Sequence, residues 1–118
     1  AGWGGVTVWA TWCAPCIQEM PTLQTWTSDL DMELQLGSAD ATGEAVERFR
    51  GRHDAFPATG RMAQADALPA WLTSLGLDEH AALPVHLLVD PNGKLRCARS
   101  GAVGEDDKPH IQALISSL

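Results

Sequence analysis

An apolar, β-branched run, GGVTVWA (residues 4–10), leads straight into a helical pattern, and Cys13 and Cys16 sit at the junction. A strand that feeds directly into a helix opens a strand–helix–strand unit, which lays the helix against one face of a sheet. The first run reads as a buried strand. Pro15 suits the first turn of the helix, where its missing N–H costs nothing. CIQEMPTLQTWTSDL (16–30) then places Ile17, Met20, Leu23 and Leu30 at helical spacing, with Trp26 between them. Pro21 predicts a kink, because it removes one backbone bond and crowds the preceding turn.

The rest of the chain continues this alternation. MELQLGSAD (32–40) alternates as a second strand. Thr42 suits the cap of a helix over 43–53, with Val46 and Phe49 turned inward. Residues 54–66 form a looser connector containing Pro57 and Gly60, and Asp66 is expected to cap a short helix over 67–77 that Gly76 ends. LPVHLLVD (83–90), PNG (91–93) and KLRCARSG (94–101) read as strand, tight turn and antiparallel return. Asp106 or Asp107 starts a last helix with Ile111, Leu114, Ile115 and Leu118 on one face. The order β-α-β-α-α-β-β-α predicts an α/β domain whose early strands pair in parallel and whose late hairpin is antiparallel. No repeat or linker interrupts residues 1–118, so a single domain is expected.

A chain of 118 residues, 45% of them apolar, can bury a core without staples. Its net charge of −7 argues against nucleic acid and anionic membrane as partners. No run approaches the roughly 20 apolar residues that span a bilayer. The chain starts at Ala1 with neither a basic nor an apolar leader, so any signal or membrane anchor is expected outside this sequence.

Three cysteines, Cys13, Cys16 and Cys97, are a pair and a remainder, not a disulfide framework. A cysteine at a helix N-terminus meets unpaired N–H groups and the positive end of the helix dipole. That placement can bring a thiol pKa from about 8.5 into the range of roughly 3.5–7.5. Thiolate is the attacking species in disulfide exchange. Cys13 is therefore read as the entering nucleophile, and Cys16, one turn later on the same face, as the resolving thiol. A metal site would need two more ligands, and Cys97, His53, His80, His86 and His110 are scattered without ligand spacing. A purely structural bridge would close only a tiny loop and gain little.

WATWCAPC (9–16) resembles the W-C-x-P-C motif of thioredoxin-fold proteins. WATWCAPCIQEMP (9–21) is more similar to the bacterial extracytoplasmic branch: TlpA-like and ResA-like thiol-disulfide oxidoreductases and the cytochrome c maturation thioredoxins. LPVHLLVDPNGKLR (83–96), with the glycine of Ser100-Gly101, resembles the second half of the same pattern. The resemblance covers nearly the whole chain. It implies a thioredoxin-like three-layer sandwich, a central mixed sheet flanked by helices. It further implies thiol-disulfide exchange on protein substrates by Cys13 and Cys16, without a cofactor or a metal. Trp12 and Pro15 flank the pair. Pro84 becomes the expected cis-proline, with Leu83 positioned to pair with a substrate chain; X-Pro bonds are the ones that go cis at small cost. Glu19, three residues past Cys16, takes the place of a glutamate that modulates the cysteines in ResA-like relatives.

By the same resemblance the chain is expected outside the cytoplasm, in a bacterial periplasm or tethered facing it through a segment beyond this sequence. It would act as a monomer with an upstream electron donor. The usual job in that branch is reduction of a specific disulfide in cytochrome c or copper-site maturation.

Some positions depart from the pattern. Thr7 stands where ordinary thioredoxins carry a buried aspartate. His86 stands two residues past Pro84, where a hydroxyl residue is common; alternation puts it on the face of Pro84, and a packed or edge role is the plainer expectation. Relatives have a further strand or hairpin upstream, so the sheet is expected to lack it and to expose an edge. Cys97 is expected as a small buried strand residue. Trp9, Trp26 and Trp71 are expected in the core, Trp12 at the surface beside the dithiol, and Met20 and Met32 in packing. Two other functions stay open: a copper- or zinc-handling module using the same cysteines, and a non-catalytic binding module on the same fold.

Overall fold

The computed structural model describes residues 2–62 and 65–117. Leu118, expected on the apolar face of the last helix, lies outside them. Five strands form one sheet: β1 (Trp3–Trp9), β2 (Met32–Ser38), β3 (Gly60–Arg61), β4 (Val85–Val89) and β5 (Leu95–Ser100). Four α-helices accompany them: α1 (Ala14–Asp29), α2 (Gly43–Arg52), α3 (Leu68–Ser74) and α4 (Lys108–Ile115). The strand order is β3-β2-β1-β4-β5. β1 pairs in parallel with β2 and antiparallel with β4, so the strand that ends at the dithiol is the centre of the sheet. β4 and β5 pair antiparallel across the Pro91–Gly93 turn, where Gly93 takes a φ of +82° that a side chain would resist.

Alternation along β1 sends its residues to two faces. On one face Trp9 packs with Met20, Leu23 and Trp26 of α1 and with Val46 and Phe49 of α2. On the other, Val8 and Val85 pack with Leu72 of α3. Each such side chain contributes about 1.5–3 kcal/mol through burial. The expected three-layer sandwich and mixed sheet are therefore present. α1 passes through Pro21 as one continuous helix, burying Cys16, Glu19, Met20, Leu23 and Trp26 along one stripe. Thr42 caps α2 by accepting from the Ala45 N–H at 3.3 Å, as its sequence position predicts.

Four local expectations are corrected. The connector over 54–66 contains a strand: Gly60–Arg61 pairs in parallel with Gly37 and Ser38 and occupies the sheet edge beside β2. Asp66 does not cap α3; it lies in a 3₁₀ turn, Ala65–Ala67, that leads into the helix, and the cap position is Ala67. Cys97 is exposed, because its face of β5 is only partly covered by α4. Trp71 is half-buried at the margin of the α3 cluster rather than inside it. α4 itself buries no residue fully, although Ile111 and Ile115 lean on the core.

Candidate active site

β1 ends at Trp9, and the backbone turns at once: the Cys13 N–H donates to the Ala10 carbonyl at 3.0 Å. Asp40, just past the end of β2, holds this turn. Its carboxylate accepts from the Thr11 N–H at 3.0 Å and the Thr11 hydroxyl at 2.6 Å, and also from the Ser38 hydroxyl. Asp40 escaped the sequence reading, although the ends of adjacent parallel strands are where an α/β sheet builds its sites. Cys13 is the N-cap of α1, and its Sγ accepts from the Cys16 N–H at 3.3 Å. The two cysteines are joined by a disulfide, with Cα atoms 5.4 Å apart.

The pair is asymmetric. Cys13 retains 5% exposure and Cys16 none. Ala14 and Pro15 are exposed beside them, and Trp12 is 69% exposed, a large apolar side chain standing in solvent next to the disulfide. The Leu83–Pro84 peptide bond is cis. Leu83 packs against the core cluster that contains both cysteines, while Pro84 is fully buried.

Beneath the dithiol lies a second constellation. Glu19, one helical turn past Cys16, is 5% exposed. Its Oε1 accepts from the Val103 N–H at 2.9 Å. His86 Nε2 stands 3.1 Å from Oε1 and 3.0 Å from Oε2, and the hydrogen-bond geometry favours Oε1. Oε2 is thus left without a hydrogen bond among the described residues. On the far side of the ring, His86 Nδ1 lies 2.9 Å from the Thr7 hydroxyl. Register explains the meeting: Thr7 and His86 are direct partners in the β1–β4 ladder, and α1 lies across that face. The plain expectation for His86, an edge or packing residue, understated it. Thr7, noted only as a missing aspartate, is its partner.

Among the described residues no group of three or more His, Cys, Asp or Glu side chains converges as a metal site. A buried carboxylate with one unsatisfied oxygen, one helical turn past a buried thiol position on the same stripe, can accept a proton. An N-cap sulfur with a shielded partner can undergo exchange through one face only.

No protein-family model matches the chain. It is 27% identical over 114 residues to the thiol-disulfide oxidoreductase ResA of Bacillus cereus, spanning 93% of this chain and 60% of ResA. The chain thus spans less than two thirds of that curated relative's length. Among solved structures, a thioredoxin-related protein from Neisseria meningitidis serogroup B superposes with a TM-score of 0.73 at 24% identity, covering 100% of this chain and 87% of that one. The thioredoxin domain of a thiol-disulfide oxidoreductase from Bacteroides vulgatus gives a TM-score of 0.70 at 21% identity, covering 97% and 79%. The fold is thioredoxin-like, and the sequence similarity is to the thiol-disulfide oxidoreductase ResA.

Proposed function

We propose that this chain is a protein thiol-disulfide oxidoreductase that works through the Cys13–Cys16 couple. The observation that carries the reading is the asymmetric pair at the N-terminus of α1: the sulfur of Cys13 caps the helix and keeps the little exposure the pair has, and Cys16 has none. In the reducing direction, the Cys13 thiolate attacks a substrate disulfide and displaces one substrate sulfur as thiolate. Cys16 then attacks Cys13 and releases the second, leaving the disulfide seen here. Two electrons pass from the dithiol to the substrate. Trp12 offers an exposed apolar contact, Leu83 and the cis Pro84 line the approach, Pro15 starts the helix, and Glu19 takes the proton of Cys16.

Similarity to ResA supports substrates that are disulfide-bearing proteins outside the cytoplasm, reduction of the cytochrome c or copper-site maturation type, and an upstream electron donor. A bacterial periplasmic setting and a monomer fit the same reading, with no cofactor in the chemistry.

Cys13→Ser should abolish reduction of an insulin disulfide. Cys16→Ser should instead accumulate a covalent adduct with substrate, visible on a non-reducing gel. Exchange activity surviving in Cys13→Ser would overturn the assignment, as would stoichiometric copper or zinc in a reduced protein that reduces no disulfide. A redox titration of the couple then fixes the direction of flow: a potential near −270 mV marks a reductase, and one near about −120 mV an oxidant.

A further inference from the structure

Cys16 must lose a proton each time it resolves a mixed disulfide, yet it has no exposed surface, and Glu19 beyond it is nearly as enclosed. A proton accepted by Glu19 therefore needs a second holder before it can reach water. We propose that His86 is that holder, and that the Cys16 proton leaves inward through Glu19 and His86, away from the substrate face. This inference rests on the exchange reading above and deepens its account of Glu19.

Three observations support it. His86 Nε2 reaches both carboxylate oxygens of Glu19, at 3.1 and 3.0 Å. Glu19 Oε2 is the oxygen without a hydrogen bond, free to take a proton from the thiol one turn earlier. His86 also lines a largely apolar cavity of about 270 Å³ between the sheet, α1 and α4, whose polar lining includes Thr7, Cys97, Arg99, Asp107 and His110. The imidazole thus spans the distance from a sealed carboxylate to a recess beside the exposed face of β5.

The step balances. The Cys16 S–H bond breaks, and its proton goes to Glu19 Oε2. The sulfur's electron pair forms the bond to Cys13, and the Cys13–substrate bond leaves with its pair on the substrate thiolate. In the tautomer that carries its proton on Nδ1, the bare Nε2 of His86 then takes this proton from Glu19, whose carboxylate oxygens lie 3.1 and 3.0 Å away. This is the carboxylate–imidazolium form, in which Nδ1–H donates to the Thr7 hydroxyl. Loss of one proton through the cavity, with return of the ring to the Nδ1–H tautomer, restores the start. Histidine is the side chain suited to this, because its ordinary pKa of about 6.5 lets it hold and release a proton near neutrality. The groups around the ring are Glu19 from α1, uncharged Thr7 from β1, Arg99 opposite it on β5, and Asp107 and His110 from the last turn and helix. Arg99 is engaged by Asp107, which mutes its field at the ring. His86 acts through Glu19 and is a positioning residue, not one that touches substrate.

The test is stopped-flow reaction of the reduced protein with Ellman's reagent between pH 5 and 9. The first equivalent of thionitrobenzoate reports attack by Cys13 and the second reports resolution by Cys16. Glu19→Gln should slow only the second phase, by about 10²-fold, as loss of a general base does. His86→Gln keeps an N–H donor for Glu19 but cannot titrate. It should leave the first phase unchanged, slow the second about tenfold, and erase its rise between pH 5 and 8. Thr7→Val, should His86→Gln not fold, should alter that rise by withdrawing the Nδ1 partner. A second phase in His86→Gln or Thr7→Val with the natural pH profile would overturn the role of His86. An unchanged Glu19→Gln would overturn the whole route. Failure of the natural protein to release a second equivalent would instead overturn the exchange reading.

Discussion

Asp40 shows how much of the active-site turn depends on one buried side chain. It is 3% exposed and brings together Thr11 from the turn and Ser38 from the end of β2, so the residues leading to Cys13 are hydrogen-bonded to the neighbouring strand. Replacing it by alanine leaves the Thr11 N–H and two hydroxyls without their acceptor in a dry place. Each such loss costs about 1–3 kcal/mol. Asp40→Ala should therefore lower stability by at least about 1 kcal/mol in urea denaturation, with Asp40→Asn intermediate because one oxygen remains. A midpoint equal to that of the natural chain would show that other contacts hold the turn. A slower first phase with Ellman's reagent is expected alongside, since Cys13 would lose its fixed place at the helix end. Trp9 presents the complementary case. It is wholly buried against Phe49 and Phe56, with ring centroids 5.4 and 4.4 Å away, and satisfies its indole N–H on Thr59 at 2.9 Å.

At the scale of elements, α4 differs from α1 in how it is held. α1 buries a full stripe, whereas α4 relies on half-buried Ile111, Leu114 and Ile115 and on two ion pairs, Arg99–Asp107 and Lys108–Asp29. The Arg99 hydrogen bond, followed by one from the Gly104 N–H, holds the Asp107 carboxyl below its ordinary 3.8. A carboxyl whose pKa is lower folded than unfolded adds stability above the unfolded value and loses it as pH falls through the folded one. The difference in Tm between the natural chain and Asp107→Asn should thus be full at pH 6, shrink below about pH 4 and vanish in stronger acid. Both partners are partly exposed, so the effect stays under about 1 kcal/mol. A difference that persists unchanged to pH 2 would mean the asparagine acts by another route. The elements themselves were legible where the pattern is local. The strand before Cys13, the stripe of α1, the Thr42 cap and the turn at Gly93 each lie within a few residues of their signal. β3 was not, because two residues, Gly60 and Arg61, carry no alternation and are fixed only by β2. Cys97 was misplaced because strand residues are buried only if something covers them, and α4 covers β5 incompletely. The cysteine pair was legible from its spacing on one helix turn. The Glu19–His86–Thr7 contact was not, since its members are distant in sequence and meet only through the β1–β4 register and the packing of α1.

For the whole molecule, a redox couple of this kind requires that the reduced and oxidised chains share one fold. The distribution of the core predicts that they do. The disulfide closes a loop of only a few residues, and chain entropy limits its contribution to about 2 kcal/mol. Most of the large apolar burial comes from other residues: Trp9, Leu23, Trp26, Phe49 and Phe56 in the cluster that also holds the two cysteines, and Leu72 with Val85 on the other face. The central strand β1 is paired on both sides by backbone bonds that do not involve the cysteines. Calorimetry in the presence of a phosphine reductant should therefore show a single cooperative transition, as in the oxidised protein. For a chain of this size 1 kcal/mol moves Tm by about 3–6 °C, so reduction should lower it by no more than about 12 °C. Loss of the transition on reduction would make the cystine a structural bridge and count against a working couple. A small shift with cooperativity kept would mean that Cys13 and Cys16 sit on a scaffold that does not depend on them, which leaves their redox state free to change with each substrate.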